Sequence, residues 1–98
     1  MTLTTNFVNT DHNPAIEQFI KSLVMKTFND TQSIESIIVN LTVQHNQQVP
    51  WKCTIYLTGK DEKLFTAESQ AANYLTAFSQ ALMRTERQWK KAQDGVRA

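Results

Sequence analysis

The sequence predicts an α+β domain of order β-α-β-β-β-α, with four strands in one sheet and both helices on one of its faces. Three observations lead there. Several segments alternate apolar with polar side chains, as half-buried strands do, and two others repeat apolar residues every three or four positions, as amphipathic helices do. The length, 98 residues, suits one hydrophobic core and is too short for two. The expected organisation is a single domain over 1–98, with 94–98 a short tail.

Leu3-Thr4-Thr5-Asn6-Phe7-Val8 is rich in strand formers and runs into the turn-prone Asn9-Thr10-Asp11-His12-Asn13. Asn13 suits an N-cap and Pro14 the first turn of a helix, where a missing N–H costs nothing. Ile16, Ile20, Leu23 and Thr27 then share one helical face with Phe19 and Val24 beside it, and Asn29-Asp30 is expected to stop the run. Ile37, Val39, Leu41 and Val43 alternate with Ile38, Asn40, Thr42 and Gln44, and Trp51, Cys53, Ile55 and Leu57 alternate with Lys52, Thr54, Tyr56 and Thr58. The polar connection His45 to Pro50 and the turn Gly59-Lys60-Asp61-Glu62 make these an antiparallel meander, closed by a short fourth strand from Lys63 to Glu68. Ala71, Leu75, Phe78, Leu82, Thr85 and Trp89 trace one stripe down a last helix of about six turns that Gly95 ends at the latest. The first strand joins the sheet by a crossover through the first helix, parallel to its neighbour and with right-handed connectivity.

The composition is that of an ordinary globular chain: 41% apolar residues, five Phe, two Trp, and only two each of Gly and Pro. The lone Cys53 has no partner for an internal disulfide and reads as a buried thiol in a reducing compartment. No apolar run approaches the roughly 20 residues that span a bilayer, and the first residues lack the pattern of a signal peptide. A cytoplasmic location is the expectation. The formal net charge is only +1, but its distribution is uneven. Residues 82–98 carry Arg84, Arg87, Lys90, Lys91 and Arg97 against Glu86 and Asp94, whereas the rest of the chain has more acidic than basic side chains.

On a helix, Arg84, Arg87 and Lys91 project within roughly 60° of one another, on the side turned away from Phe78, Leu82 and Trp89. Gln88 adds a hydrogen-bonding group and Lys90 flanks the ridge. Long cationic side chains at one-turn spacing on a packed helix are what phosphate contact requires. The same cations also suit a plainer role, complementing the negative end of the helix dipole, although Arg84 sits far from that end. Lys21 and Lys26 on the first helix read as solvated charges, and the face with Lys52, Thr54, Tyr56 and Thr58 as a solvated outer sheet face with one aromatic. His12 and His45 have no neighbours at metal-ligand spacing, and no phosphate loop or nucleophile motif is present, so neither an enzyme nor a cofactor or metal is expected.

Asn13-Pro14-Ala15-Ile16, followed by Phe19, Ile20 and Lys26, resembles the first helix of the hibernation promoting factor and ribosome-associated inhibitor family. Asn73-Tyr74-Leu75-Thr76-Ala77-Phe78 resembles the start of that family's second helix, and Arg84, Arg87, Gln88 and Lys91 fall where it carries Lys, Arg-Gln and Lys. The resemblance implies a fold related to double-stranded RNA-binding domains. It also implies a function: lodging in the small ribosomal subunit where messenger and transfer RNA bind, and blocking translation by occupancy. It makes Lys26, Arg84, Arg87 and Lys91 candidate RNA contacts, with Gln88 and Lys90 beside them. Leu23 stands where many members have a basic residue, and Asn73 and Leu75 replace the usual aspartate and tyrosine. The chain ends at Ala98, which corresponds to the short form without a C-terminal dimerisation domain, expected to be monomeric off the ribosome.

Two other classes fit parts of the pattern. A protein interaction module that kept the fold but lost RNA binding would explain the near-neutral charge and Leu23. A general duplex-RNA binder is disfavoured by the scarcity of Lys and Arg outside the last helix.

Overall fold

The computed structural model describes residues 1–28, 31–45 and 48–97. Its elements are β1 (Thr2–Val8), α1 (Pro14–Thr27), a single 3-10 turn (Thr31–Ser33), β2 (Ile34–Val43), β3 (Trp51–Gly59), β4 (Leu64–Ala71) and α2 (Tyr74–Arg97). The strands form one sheet in the order β1-β2-β3-β4, with β1 parallel to β2 and the other pairs antiparallel. This is the α+β arrangement that the alternating segments and helical stripes predict.

Alternation decides which face is covered. Ile37, Val39 and Leu41 of β2 and Cys53, Ile55 and Leu57 of β3 are fully buried, and they form one core with Ile20 and Val24 of α1 and Ala77, Phe78, Ala81, Leu82 and Trp89 of α2. Both helices therefore lie on the same face. They meet through Phe19 and Phe78, whose rings approach edge to face at 6.4 Å. The opposite face carries Thr4, Asn6, Ile38, Asn40, Thr54, Tyr56, Thr66 and Glu68 in register across the sheet. Its polar groups pair with one another: Asn6 donates to Asn40 over 2.8 Å, and Lys52 meets Glu68 at 3.1 Å.

Local chemistry sets the helix starts. The Asn13 side chain accepts from the Ala15 and Ile16 amides, with Pro14 in the first turn. Asn73 does the same for α2, accepting from the Thr76 amide over 2.8 Å. The turn between β3 and β4 needs a left-handed residue, and Glu62 takes that conformation at φ 70°. The expected stop at Asn29-Asp30 lies outside the described residues.

Three boundaries differ from expectation. The fourth strand runs from Leu64 to Ala71, three residues past Glu68, because Ser69 and Ala71 face inward, one opposite Cys53 and the other opposite Trp51. Ala71 consequently closes β4 and does not open α2. The buried stripe of α2 starts at Tyr74, whose ring packs edge-on to Trp51 at 5.9 Å, and continues through Ala77, Phe78, Ala81 and Leu82. Leu75 lies one step around the helix from Tyr74 and is 45% exposed. Finally, α2 continues past Gly95 to Arg97, into the stretch expected to be a tail. A helical glycine costs only about 1 kcal/mol, too little to end a long helix by itself.

Candidate nucleic-acid interface

β4 is an edge strand, so the backbone groups that face away from β3 have no ladder partner. α2 supplies partners. The Arg84 guanidinium donates to the Glu68 carbonyl oxygen, and the Gln88 side-chain amide donates to the Thr66 carbonyl oxygen over 3.0 Å. The spacing matches on both elements: residues 66 and 68 are successive outward positions of a strand, and 84 and 88 are one helical turn apart.

These contacts correct the expectation of a ridge pointing straight into solvent. Arg84 and Gln88 fold down onto the sheet edge, and with Arg87 and Lys91 they wall a groove of about 470 Å³ whose floor is Thr66, Ala67 and Glu68. The physical reason is the demand of the edge carbonyls, which only the packing of α2 beside β4 reveals. Glu68, the one carboxylate in the groove, is ion-paired to Lys52 on the outer face. Arg87 and Lys91 are exposed, and neither has a hydrogen-bond or ion-pair partner among the described residues. The groove thus has two cations paired with no described protein group, held over a floor fixed by Arg84 and the neutral Gln88.

The remaining candidates fall elsewhere. Lys90 is exposed and pairs with Glu86 at 3.5 Å along α2. Lys26 is exposed in the last turn of α1, on the other helix and away from the β4 edge. Leu23 is partly buried against the core. Its position on α1 is used for packing, which leaves Lys21 and Lys26 as that helix's cations. Cys53 is fully buried, and burial pushes its thiol from 9.0 up to about 12, so it stays protonated. The part that sequence reasoning missed is the edge-capping role of Arg84 and Gln88. The outward carbonyls of Thr66 and Glu68 were the available signal, visible only once β4 is known to be an edge.

The fold and this groove define a class: a small mixed-sheet α+β domain with a basic channel between its last helix and its last strand. Within that class the chain belongs to the sigma 54 modulation protein / S30EA ribosomal protein family, whose model matches residues 3–97 and bears out the resemblance carried by the two helices. No curated protein matches. Two solved structures are similar. A ribosomal subunit interface protein from Coxiella burnetii is 13% identical, with a TM-score of 0.76 over 96% of this chain and 99% of that one. The N-terminal domain of Protein Y from Thermus thermophilus is 19% identical, with a TM-score of 0.76 over 93% of this chain and 98% of that one. At these identities the two structures speak for the fold alone.

Proposed function

We propose that this protein is a non-enzymatic, ribosome-associated translation inhibitor that binds small-subunit ribosomal RNA in the messenger and transfer RNA channel. The observation that carries this reading is the pair Arg87 and Lys91, uncommitted to any described protein group, beside a groove whose floor carbonyls at Thr66 and Glu68 are already satisfied. Cations without protein partners exchange counterions for phosphates at no cost in broken ion pairs. Family membership supplies the ribosome as the source of those phosphates. Lys26 and Lys90 act as outlying contacts. Lys90 has to release Glu86 to reach a phosphate, an exchange that costs little because exposed pairs are weak. Occupancy is the whole mechanism in this reading, so inhibition is reversible and competes with messenger RNA.

Co-sedimentation with purified small subunits over a series of salt concentrations tests it. Wild-type binding should weaken steeply as salt rises, and Arg87→Glu with Lys91→Glu should abolish it while circular dichroism stays native. A doubly reversed variant that still sediments like the wild type overturns the reading.

A second reading, a protein interaction module, is favoured by the outer sheet face, where Lys52–Glu68 and Asn6–Asn40 leave a nearly neutral surface. A partner recovered after nuclease treatment, with no affinity for small subunits, would select it.

A further inference from the structure

The two edges of the sheet differ in how they are closed. On β4, Arg84 and Gln88 cap the outward carbonyls of Glu68 and Thr66. β1 pairs with β2 along one side only, in unbroken register from Thr2 to Val8. It carries none of the usual guards of an edge strand: no proline, no bulge against β2, and no ionisable side chain anywhere from Met1 to Thr10.

We propose that β1 pairs antiparallel with β1 of a second copy of this chain, about a two-fold axis through Thr5, joining two sheets into one of about eight strands. An isologous contact requires a surface complementary to itself, and the Thr5-centred register supplies one. On the helix side it sets Leu3 against the partner's Phe7. On the outer side it sets Thr4 against the partner's Asn6, and Thr2 against the partner's Val8, a pair of β-branched side chains. Apolar meets apolar at Leu3–Phe7 and polar meets polar at Thr4–Asn6, pairings that stabilise adjacent strands.

The surroundings of the edge fit this occupant. Leu3 and Phe7 are only partly buried at the border of the core. Beside Leu3 opens a notch of about 320 Å³ lined by Met1, Leu3, Lys21 and Met25, in which Met1 is 38% and Met25 47% exposed. The partner's Phe7 ring comes down next to Leu3, at the mouth of that notch, where two adaptable methionines can pack on it. The notch also fixes the level of α1 above β1, because Leu3 lies under Lys21 and Met25. A helix rises about 1.5 Å per residue and a strand about 3.3 Å. Thr5 is therefore level with the middle of α1, and the two-fold brings Lys21 to the height of the partner's Glu17. The charges that flank the axis are opposite in sign. Both α2–β4 grooves remain at the far ends of the joined sheet, so the contact does not depend on the RNA-binding reading.

One strand pair is a small interface, so the affinity is expected to be weak, with the dimer dominating only towards about 1 mM. Sedimentation equilibrium of the whole chain should show the average mass rising towards that of two chains over this range. Thr5→Cys should then cross-link to itself under mild oxidation, since facing residues of an antiparallel pair lie within disulfide reach. Leu3→Cys should not, because its own counterpart lies about 13 Å away in this register. Cys53 is too deeply buried to interfere. Thr4→Lys with Asn6→Lys, both at exposed positions, sets like charges opposite each other twice and should keep the chain monomeric. A mass that stays at one chain up to about 1 mM overturns the proposal, whether or not β1 captures some other strand. Self-association that survives the double lysine variant, or equal cross-linking of Leu3→Cys and Thr5→Cys, overturns it too.

Discussion

Replacing Arg84 and Arg87 separately with alanine should have opposite consequences, although the two residues sit one turn apart on the same ridge. Arg84 donates to the Glu68 carbonyl at an otherwise unpaired sheet edge. A hydrogen bond to a charged donor is worth about 1.5–3 kcal/mol. Arg84 is exposed, so solvent screening reduces this to about 1 kcal/mol. In a domain of this size, Arg84→Ala should lower the melting temperature by about 4–8 °C. Arg87 has no described partner, so Arg87→Ala should change stability by less than about 0.5 kcal/mol. Binding should show the reverse order. Arg87→Ala should reduce the slope of log affinity for small subunits against log salt by about 0.7–0.9, the share of one phosphate contact. Arg84→Ala should leave that slope nearly unchanged at temperatures where the variant is folded. Thermal melts followed by circular dichroism, together with salt-series sedimentation on both variants, provide the measurements. Equal loss of stability in the two variants, or a drop in salt slope with Arg84→Ala alone, would refute this division of labour.

Gln88, Asn73 and Cys53 provide three further outcomes. Gln88→Glu is isosteric but turns a donor into an acceptor facing the Thr66 carbonyl, so it should cost more stability than Gln88→Ala in urea titrations. Asn73→Ala removes the cap that receives the Thr76 amide and should cost about 1 kcal/mol; Asn73→Asp, which can still accept, should restore it. The Cys53 thiol is raised from 9.0 to about 12 in the folded chain, so the unfolded chain loses its proton first as pH rises. Its contribution to stability is complete below pH 9 and falls by about 1.4 kcal/mol per pH unit above it, until the folded value is reached. Cys53→Ala should remove that part of the alkaline slope, and an identical slope in both proteins would show that the thiol plays no part.

The fold was legible because each element announces itself over its own length. Ile37 to Val43 and Trp51 to Leu57 alternate whatever surrounds them, and Asn13-Pro14 marks a helix start without reference to the rest of the chain. The misreadings share a different property. Ser69 and Ala71 are inward positions of β4 filled by small side chains, so the alternation there lacks the apolar contrast that marks a strand. Leu75 looks like a core residue by type, yet Tyr74, one step around the helix, takes the place against Trp51. Gly95 reads as a stop, but its local cost is small beside the propagation of a long helix.

Arg84 and Gln88 extend that difference to the site. Periodicity places them on one ridge with Arg87 and Lys91, but it cannot say which residues of that ridge meet an edge strand. That depends on α2 packing beside β4, a fact of tertiary arrangement. Once known, it changes the meaning of the charge cluster. Four neighbouring polar side chains of one helix divide into two that close the sheet against unwanted strand pairing and two that remain available to a polyanion. In the proposed RNA-binding role the first pair would make the second more effective, because capped edge carbonyls hold the groove floor in place and spare binding the entropy of ordering it. Loss of the Arg84 or Gln88 contact should accordingly weaken binding through floor mobility and leave the number of phosphates neutralised unchanged. Hydrogen exchange at the Ala67 and Ser69 amides, which point to β3 in the ladder, should rise in step with the loss of affinity, and unchanged protection in a weakened binder would break this link.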